Sequence, residues 1–407
     1  ERKSLLDHAI LTSPVDGIVK VLRLNTVGGV LRSGDELMHI SPSQGGHVIE
    51  AKINPSDIGE LRIGLPVTLK FDAFDYSIYG MLHGTLIYIS SDTLTENSST
   101  GGTQTYYRVQ VGDASQDYQA KFDSVFALIN TAANSYVQES EVSDFNATGS
   151  LANPSFTFRD MLDSCKKFHS QSQGYFEPTL FPLLKAWGFS FEQREQMDSA
   201  KVAALKALVG FESKLVVTDS GYYAAEEGVK LDVTGLGEGY AIDKLAEVLD
   251  QAGVANYLVE IGGEMKGKGN NPRGENWSIG IEDPSQAELG VTNSMLTKVT
   301  LNQLALSSSG NYRKFYMDEQ GNRRSHLIDP TTGFPVSHSM VSVSVLAPSA
   351  TQADALATAF MAMGPEKAKV LAESLPGVEA MFVLAEKDRL RMEFTSGFPK
   401  ELEQKKK

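Results

Sequence analysis

The sequence has one cysteine, few basic residues and no long apolar run, and each of these absences argues against a class of structure or function. Cys165 alone cannot form an internal disulfide or a cysteine metal cluster. The 407 residues include 37 Lys and Arg against 51 Asp and Glu, a net charge of −14. This balance argues against nucleic-acid binding, because phosphate backbones need clustered basic side chains. No segment approaches the run of about 18 apolar residues that spans a membrane.

The first residues of the chain and its length indicate how the protein is organised. It begins at Glu1 without an initiator methionine, and residues 1–20 lack the pattern of a signal peptide. We therefore expect a fragment or a processed form, in which a missing targeting signal says little about location. A length of 407 residues exceeds one ordinary domain, and 41% apolar with 22% charged residues is a normal globular composition. Two or three compact units are expected.

Residues 1–100 are predicted to be rich in β-strands. Short runs of β-branched residues at 17–22, 47–53, 65–71 and 81–89 alternate with Gly, Pro and Asp turns, which is typical of a small barrel or sandwich. Residues 13–37 resemble the lipoyl-like half of HlyD-type periplasmic adaptor proteins, and the strands that follow resemble the adaptor's β-barrel. No lysine stands at a hairpin tip, so lipoyl swinging-arm chemistry is not expected.

The boundary after this segment lies in polar sequence. Residues 90–104 are rich in Ser, Thr, Asp and Gly, which favours a loop or linker. A strand predicted at 106–111 fits the adaptor barrel and equally the first strand of the next domain, which leaves an error of about ten residues. We place the domains at 1–100 and 101–401.

From Tyr118 onward, helices alternate with strands. Helical spacing of apolar residues predicts helices over 122–133, near 158–169, over 239–252 and from 351. Strands are predicted at 257–261, 277–281, 298–301 and 340–346. The second domain is therefore expected to be α+β with a mixed sheet, and not a βαβ repeat.

Two polar residues near the C-terminus share one face of a predicted helix. Asp354 and Thr358 are four positions apart, so their side chains project in the same direction. A carboxylate and a hydroxyl presented together suit Mg²⁺, which takes few protein oxygens and fills its shell with phosphate oxygens and water. The spacing alone favours a simpler interpretation, an acidic residue near a helix N-terminus beside an exposed threonine.

Three other features are individually weak. Residues 231–240 (LDVTGLGEGY) form a glycine-rich turn between a strand and a helix, where the backbone can approach a phosphate, but the spacing is not a dinucleotide fingerprint. His326 opens the turn 325–335, and a lone histidine is more often structural than catalytic. Aromatic residues such as Tyr136, Trp187 and Phe189 belong to a core by default.

Together, four segments resemble the ApbE-like FAD:protein FMN transferases. They are LDVTGLGEGYAID at 231–243, VEIGGE at 259–264, SHLIDPTTGFP at 325–335 and ADALATAFMAMG at 353–364. The segments GYFEPT at 174–179, LKAWGF at 184–189 and LSSSGNY at 306–312 are also similar. The resemblance covers about residues 101–400. This chain departs from the usual family pattern at Gly101, where many members have a flavin-contacting methionine, and at Arg324, where tyrosine is usual.

The resemblance implies Mg²⁺ as cofactor and FAD as substrate. His326 and Asp354 would be catalytic, with His326 as the base for the incoming hydroxyl. The carbonyl of Gly235 would complete the metal site with Asp354 and Thr358. The residues implied to bind FAD are Tyr136, Trp187, Gly188, Phe189, Asp232, Glu238, His326 and Ile328.

The implied reaction attaches FMN through a phosphoester bond to Ser or Thr of an acceptor protein and releases AMP. With water as nucleophile the same site would be an FAD pyrophosphatase, and without activity it would be an FAD-binding scaffold. This chain has no D-x-x-S/T-G-A-S/T acceptor motif, so the partner is another protein. Both families work in the periplasm or on the outer face of the membrane, and the resemblance implies that location. It is also compatible with membrane association through an N-terminal region absent from this sequence.

Overall fold

The computed structural model forms two compact units, residues 1–120 and residues 121–407. The residues it describes are 17–22, 38–42, 48–69, 82–90, 92–97, 103–113, 116–190, 194–288, 294–312, 315–318, 321, 323–387 and 389–399. Most of the predicted lipoyl-like half, and Gly101, lie outside these ranges.

The first unit is built from antiparallel strands. The strands are β1 (Gly17–Leu22), β2 (Met38–Pro42), β3 (Val48–Ile53), β4 (Pro66–Leu69), β5 (Leu82–Ile89), β6 (Leu94–Asn97) and β7 (Thr103–Asp113). β1 pairs with β2, and the others form one sheet in the order β3-β7-β5-β4, with β6 paired to β7. Leu86, Val109 and Val111 are buried in its core. The β-rich character predicted for this segment is confirmed.

The linker predicted at 90–104 is wrong for part of its length. β6 pairs with the start of β7, from Leu94 opposite Tyr106 to Asn97 opposite Thr103. Polar composition suggested a loop, yet threonines suit an exposed strand ladder once a partner strand is present. The strand predicted at 106–111 is part of β7 and pairs with β3 and β5. The division of the chain at residue 100 stays a prediction.

The second unit contains the remaining elements. Its helices are α1 (Gln116–Ala133, which starts in the first unit), α2 (Glu141–Thr148), α3 (Phe156–Gln171), α4 (Phe181–Ala186), α5 (Ser199–Lys206), α6 (Phe211–Lys214), α7 (Gly237–Gln251), α8 (Pro284–Glu288), α9 (Ala350–Met363) and α10 (Pro365–Ser374). Its strands are β8 (Ser150–Ala152), β9 (Leu215–Thr218), β10 (Gly221–Ala224), β11 (Tyr257–Ile261), β12 (Glu264–Lys268), β13 (Trp277–Glu282), β14 (Met295–Leu301), β15 (Leu304–Gly310), β16 (Phe315–Met317), β17 (Arg323–Ser325), β18 (Met340–Ala347), β19 (Glu379–Glu386) and β20 (Arg389–Phe394).

A six-stranded sheet organises this unit, in the order β11-β12-β15-β18-β19-β20. Every neighbouring pair is antiparallel, so the mixed sheet expected from the sequence is wrong. Successive residues of a strand face opposite sides. In β19, Phe382 packs against the helices, whereas Met381 and Val383 pack under the β13–β14 hairpin.

Helix α9 lies between the sheet and a helical layer. Leu356 and Phe360 pack on the sheet side, and Ala355 and Ala359 pack on the helices that surround Phe145. A helix that is apolar almost all round is buried almost all round, and beyond its first turn only Thr358 is partly exposed. Because α9 is held on both sides, the residues on its remaining face have fixed positions.

The α+β architecture predicted for the second domain is confirmed. None of the helices in the described ranges is long and apolar enough to cross a membrane.

Candidate functional site

A cleft of about 880 Å³ opens in the second unit, at the upper end of the range for ligand pockets. The structure brings ten of the predicted site residues to its walls, and these are Tyr136, Gly188, Phe189, Asp232, Gly235, Glu238, His326, Ile328, Asp354 and Thr358. They come from segments that are far apart in sequence, so the fold converges them. Their roles remain predictions.

The proposed metal donors meet where α9 passes the glycine-rich turn. The hydroxyl of Thr358 donates a hydrogen bond to the carbonyl oxygen of Gly235 at 3.2 Å. Two neighbouring ligands of octahedral Mg²⁺, each about 2.1 Å from the ion, are about 3 Å apart. The two oxygens therefore already have a separation that a shared Mg²⁺ requires.

The third donor, Asp354, is buried beside them. Its Oδ2 accepts a hydrogen bond of 2.9 Å from the backbone N–H of Gly239, the third residue of α7. Burial raises the pKa of Asp354 to about 8, although the Gly239 N–H lowers it, and the carboxylate of Glu238 raises it further. A carboxylate in this position is unfavourable without a cation, which fits a metal ligand.

Glu264 lines the cleft as well, although its sequence context did not predict a role for it. It lines the cleft on β12 and is 8% exposed, and its Oε1 accepts a hydrogen bond from Ser307 at 3.3 Å. Its Oε2 is buried with no hydrogen-bond partner. Burial and the neighbouring acidic groups of Glu238 and Asp354 raise the pKa of Glu264 well above its usual range. A buried carboxyl group beside the acidic side chains of Glu238 and Asp354 is a second indication that a cation belongs here.

The carboxylates alone do not form the proposed metal site. Within the described ranges, no group of three or more His, Cys, Asp or Glu side chains is arranged to hold a metal ion. The donor set that fits Mg²⁺ is mixed, with the hydroxyl of Thr358, the carbonyl of Gly235 and the carboxylate of Asp354. Hard oxygens of these three types are what Mg²⁺ prefers.

The close approach of α7 to α9 depends on a glycine, which predicts different results for two Gly→Ala changes. A Cβ at Gly239 would collide with the carbonyl oxygen of Ala350 and lie 2.8 Å from the Cβ of Asp354, whereas a Cβ at Gly237 would meet nothing within 4 Å. Gly239→Ala should therefore lower the free energy of unfolding by about 1–3 kcal/mol and weaken Mg²⁺ binding. Gly237→Ala should change stability by less than about 1 kcal/mol. Thermal unfolding with and without Mg²⁺ measures both, and equal behaviour of the two variants would contradict this account of the α7–α9 contact.

His326 follows β17 directly and faces an aromatic wall. The Phe189 ring meets the His326 ring edge-on at 6.3 Å between centroids, and it stacks on Tyr316 at 5.5 Å. The guanidinium of Arg194 covers the Tyr316 ring at 4.5 Å. Tyr316 also lines the cleft, although no sequence motif predicts this. Planar rings beside His326 suit a flat aromatic ligand.

Trp187 does not line the cleft, unlike Phe189 and Tyr316. Its side chain is 6% exposed, it packs with Leu183 and Ile328, and its Nε1 donates a hydrogen bond to the carbonyl oxygen of Gly333 at 3.0 Å. The cleft is lined instead by its neighbours Gly188 and Phe189. The structure thus gives Trp187 a supporting position under the turn that follows His326.

The departure at Arg324 has a local structural account. Nε and Nη2 of Arg324 each lie 2.9 Å from Oδ2 of Asp318, and the guanidinium lies 5.6 Å from the centre of the Trp187 ring. Arg324 therefore ties the β16–β17 hairpin to the element that supports His326. A charged pair and a cation–π contact replace the packing of a tyrosine here.

Asp232 also lines the cleft, and its carboxylate is held by its own turn. Oδ1 of Asp232 accepts hydrogen bonds from the N–H and the hydroxyl of Thr234, while the N–H of Asp232 donates to Pro178 at 2.7 Å. Tyr136, by contrast, is 73% exposed at the cleft's edge. The cleft therefore combines a fixed polar wall with an exposed aromatic edge.

Two known families match parts of this chain. The profile of the ApbE family matches residues 103–382. The profile of the AprE-like β-barrel domain matches residues 47–128, where the sequence resembles an adaptor β-barrel.

Curated relatives match most of the chain. The FAD:protein FMN transferase of Escherichia coli K12 is 31% identical over 314 residues, which cover 71% of this chain and 87% of the relative. The protein with the same name from Haemophilus influenzae is 32% identical over 267 residues, 64% of this chain and 76% of the relative.

Solved structures share the fold. The apo form of the flavinyl transferase ApbE from Pseudomonas stutzeri superposes with a TM-score of 0.62 at 30% identity, covering 76% of this chain and 95% of that protein. The flavin transferase ApbE from Vibrio cholerae superposes with a TM-score of 0.62 at 28% identity, covering 76% and 99%.

Proposed function

The chain belongs to the ApbE family, and from this membership we propose that it is an FAD:protein FMN transferase. It would take FAD as substrate and transfer FMN to a serine or threonine of an acceptor protein that carries a flavinylation motif. The observation that carries the proposal is the cleft itself, which His326, aromatic side chains and a set of hard oxygen donors line together. These are the groups that transfer of a flavin-bearing phosphate needs.

The reaction forms one P–O bond and breaks another. The acceptor hydroxyl oxygen attacks the phosphorus of the FMN half of FAD, and the bond from that phosphorus to the bridging pyrophosphate oxygen breaks. AMP leaves with the bridging oxygen. His326 takes the proton of the hydroxyl as general base, and the Phe189 ring at its edge restricts the orientation of the imidazole.

The metal site completes this proposal. Asp354, Thr358 and the carbonyl of Gly235 would hold Mg²⁺, and Asp354 is the ligand that supplies a charge. When bound, Mg²⁺ neutralises negative charge on the pyrophosphate, where phosphoryl transfer needs electrostatic help. Glu264 lies beside this set and would add negative charge that favours the cation.

The remaining groups bind and orient FAD. Gly188, Phe189, Tyr136 and Ile328 offer apolar and aromatic surface, which suits the rings of the dinucleotide. Asp232 and Glu238 offer carboxylates that can accept hydrogen bonds from hydroxyl or amino groups.

A periplasmic location, or one on the outer face of the cytoplasmic membrane, is part of the proposal. It is supported by the family resemblance of both halves of the chain. The same resemblance supports association with the membrane. Fractionation of the full-length protein in its own cells, with an antibody against the second unit, tests both.

The activity is tested by incubating the protein with FAD, Mg²⁺ and an acceptor domain that carries a D-x-x-S/T-G-A-S/T segment. We expect a fluorescent flavin band on the acceptor in a denaturing gel, dependent on Mg²⁺ and absent when the acceptor Ser or Thr is replaced by Ala. Free FMN and AMP without labelling would indicate an FAD pyrophosphatase instead. FAD binding with neither product would indicate a non-catalytic scaffold.

A further inference from the structure

A second, shallower groove runs along helix α10 beside the cleft, and we name it the α10 groove. It encloses about 390 Å³. Its lining includes Tyr175, Met363, Lys367, Val370 and Leu371. None of these residues except Tyr175 also lines the cleft.

The α10 groove adjoins the candidate active site. Tyr175 lines both cavities, and on α9 the cleft residue Ala362 is followed directly by the groove residue Met363. The Nζ of Lys367 donates a hydrogen bond of 2.7 Å to the hydroxyl of Tyr175. This hydrogen bond raises the pKa of Lys367, and the carboxylate of Asp329, in the turn that follows His326, raises it further. The groove therefore starts at the wall shared with the cleft and lies within electrostatic range of the loop that carries His326.

The groove is lined by apolar and by polar side chains, and the amine of Lys367 lies beside Tyr175 at the end that adjoins the cleft. Residues three and four apart on a helix share a face, so Lys367 has Val370 on one side of its face of α10 and Leu371 on the other. Val370 is 73% exposed, whereas Leu371 is buried. Single exposed valines are common on protein surfaces. Here the valine projects at the rim of a concave surface that leads into the cleft, which is the shape of a binding site.

We propose that the α10 groove docks an extended segment of the acceptor protein, with an apolar side chain near the acceptor Ser or Thr packed against Val370. The inference rests on the proposed transferase function, in which FAD fills the cleft and a hydroxyl on another protein has to reach it. A hydroxyl on a macromolecule is presented productively only when its flanking residues are held in place. The groove offers an apolar anchor for those residues, and Lys367 offers N–H donors for backbone carbonyls at the shared wall.

The test compares variants of the full chain, with the same acceptor domain as probe. Val370→Asp places a charge where the apolar contact would form, and Val370→Ser removes the contact with less disturbance. Val217→Asp is the matched control, because Val217 is 62% exposed on β9 and lines neither cavity. The measurements are the KM for the acceptor, the Kd for FAD, the thermal midpoint and the oligomeric state by gel filtration.

We expect Val370→Asp to raise the acceptor KM by about tenfold or more, as for an interface residue that anchors binding. Val370→Ser should give a smaller increase, and the Kd for FAD and the control should be unchanged. An unchanged acceptor KM in a folded Val370→Asp protein overturns the proposal. A loss of FAD binding also overturns the proposal, because it would assign Val370 to the FAD site. The proposal is overturned as well if Val370→Asp dissociates a dimer without a change in the acceptor KM, because the groove would then bind a second copy of the chain. If the unmodified protein labels no acceptor at all, the proposed function has failed, which is a different result.

Discussion

Asp354→Ala is expected to reduce FMN transfer to an acceptor by about 10³-fold or more, because the loss of several kcal/mol of charge stabilisation by the metal corresponds to about three powers of ten in rate. Asp354 is the carboxylate among the three proposed donors, and it is buried beside Thr358 and Gly235. The protein should still fold, since the side chain lines a polar cleft and its removal opens no void in an apolar core. Transfer rate and Mg²⁺ binding by calorimetry are the measurements.

Asp354→Asn removes the negative charge of the side chain while keeping nearly the same shape. The amide oxygen can still accept the hydrogen bond from Gly239, so the variant should fold like the parent protein. In EDTA it should be at least as stable, because an uncompensated buried carboxylate is unfavourable. The rise in thermal midpoint on adding Mg²⁺ should disappear. Asp219→Asn, an exposed carboxylate outside the cleft, is the control and should keep that rise. A normal Mg²⁺ response in Asp354→Asn would refute the metal assignment.

His326→Gln is expected to lower the transfer rate by about 10²–10⁴-fold, the usual contribution of a general base, while FAD still binds. Glutamine keeps a polar side chain of similar reach but cannot take up the proton of the incoming hydroxyl. Single-turnover transfer with pre-bound FAD isolates this step from binding.

The control for this substitution is His338→Gln. His338 contacts the carbonyl oxygen of Met361 through Nε2 at 2.7 Å and does not line the cleft, and a glutamine amide can make the same contact. It should transfer FMN at close to the normal rate. If His326→Gln retained the normal single-turnover rate, the base would have to be another group. If it lost FAD binding, its role would be in binding.

Sequence predicted best what depends on local geometry. The helical repeat fixes Asp354 and Thr358 on one face wherever the helix lies, and α9 places both on the cleft. β11 (Tyr257–Ile261) occupies the predicted residues, since an apolar run bounded by turns leaves few alternatives.

Features that depend on distant packing were missed. Glu264 stands in the segment VEIGGE, yet its significance comes from burial beside Glu238 of α7 and Ser307 of β15, neither of which is adjacent in sequence. Trp187 stays a predicted FAD contact, and its Nε1 donates a hydrogen bond to the carbonyl oxygen of Gly333, 146 positions away, which no local pattern predicts. The presence of an aromatic residue in the sequence does not predict whether its ring lines the cleft or packs beside it.

The loop predicted for the polar segment around β6 is wrong for a related reason. Strand preference depends on having a partner, and the partner of Leu94–Asn97 is the first half of β7. The hairpin that carries Tyr316 is similar, since three-residue strands such as Phe315–Met317 are too short for a reliable periodicity.

The central claim is that the FMN half of FAD ends on an acceptor hydroxyl and not on water. The most direct measurement is the ratio of AMP released to flavin covalently bound, with AMP quantified by chromatography and bound flavin by the absorbance of the denatured acceptor. The account predicts a ratio close to one, with the flavin phosphate located on a single Ser or Thr by peptide mass spectrometry. AMP released with free FMN, in excess over bound flavin and independent of the acceptor, would contradict it.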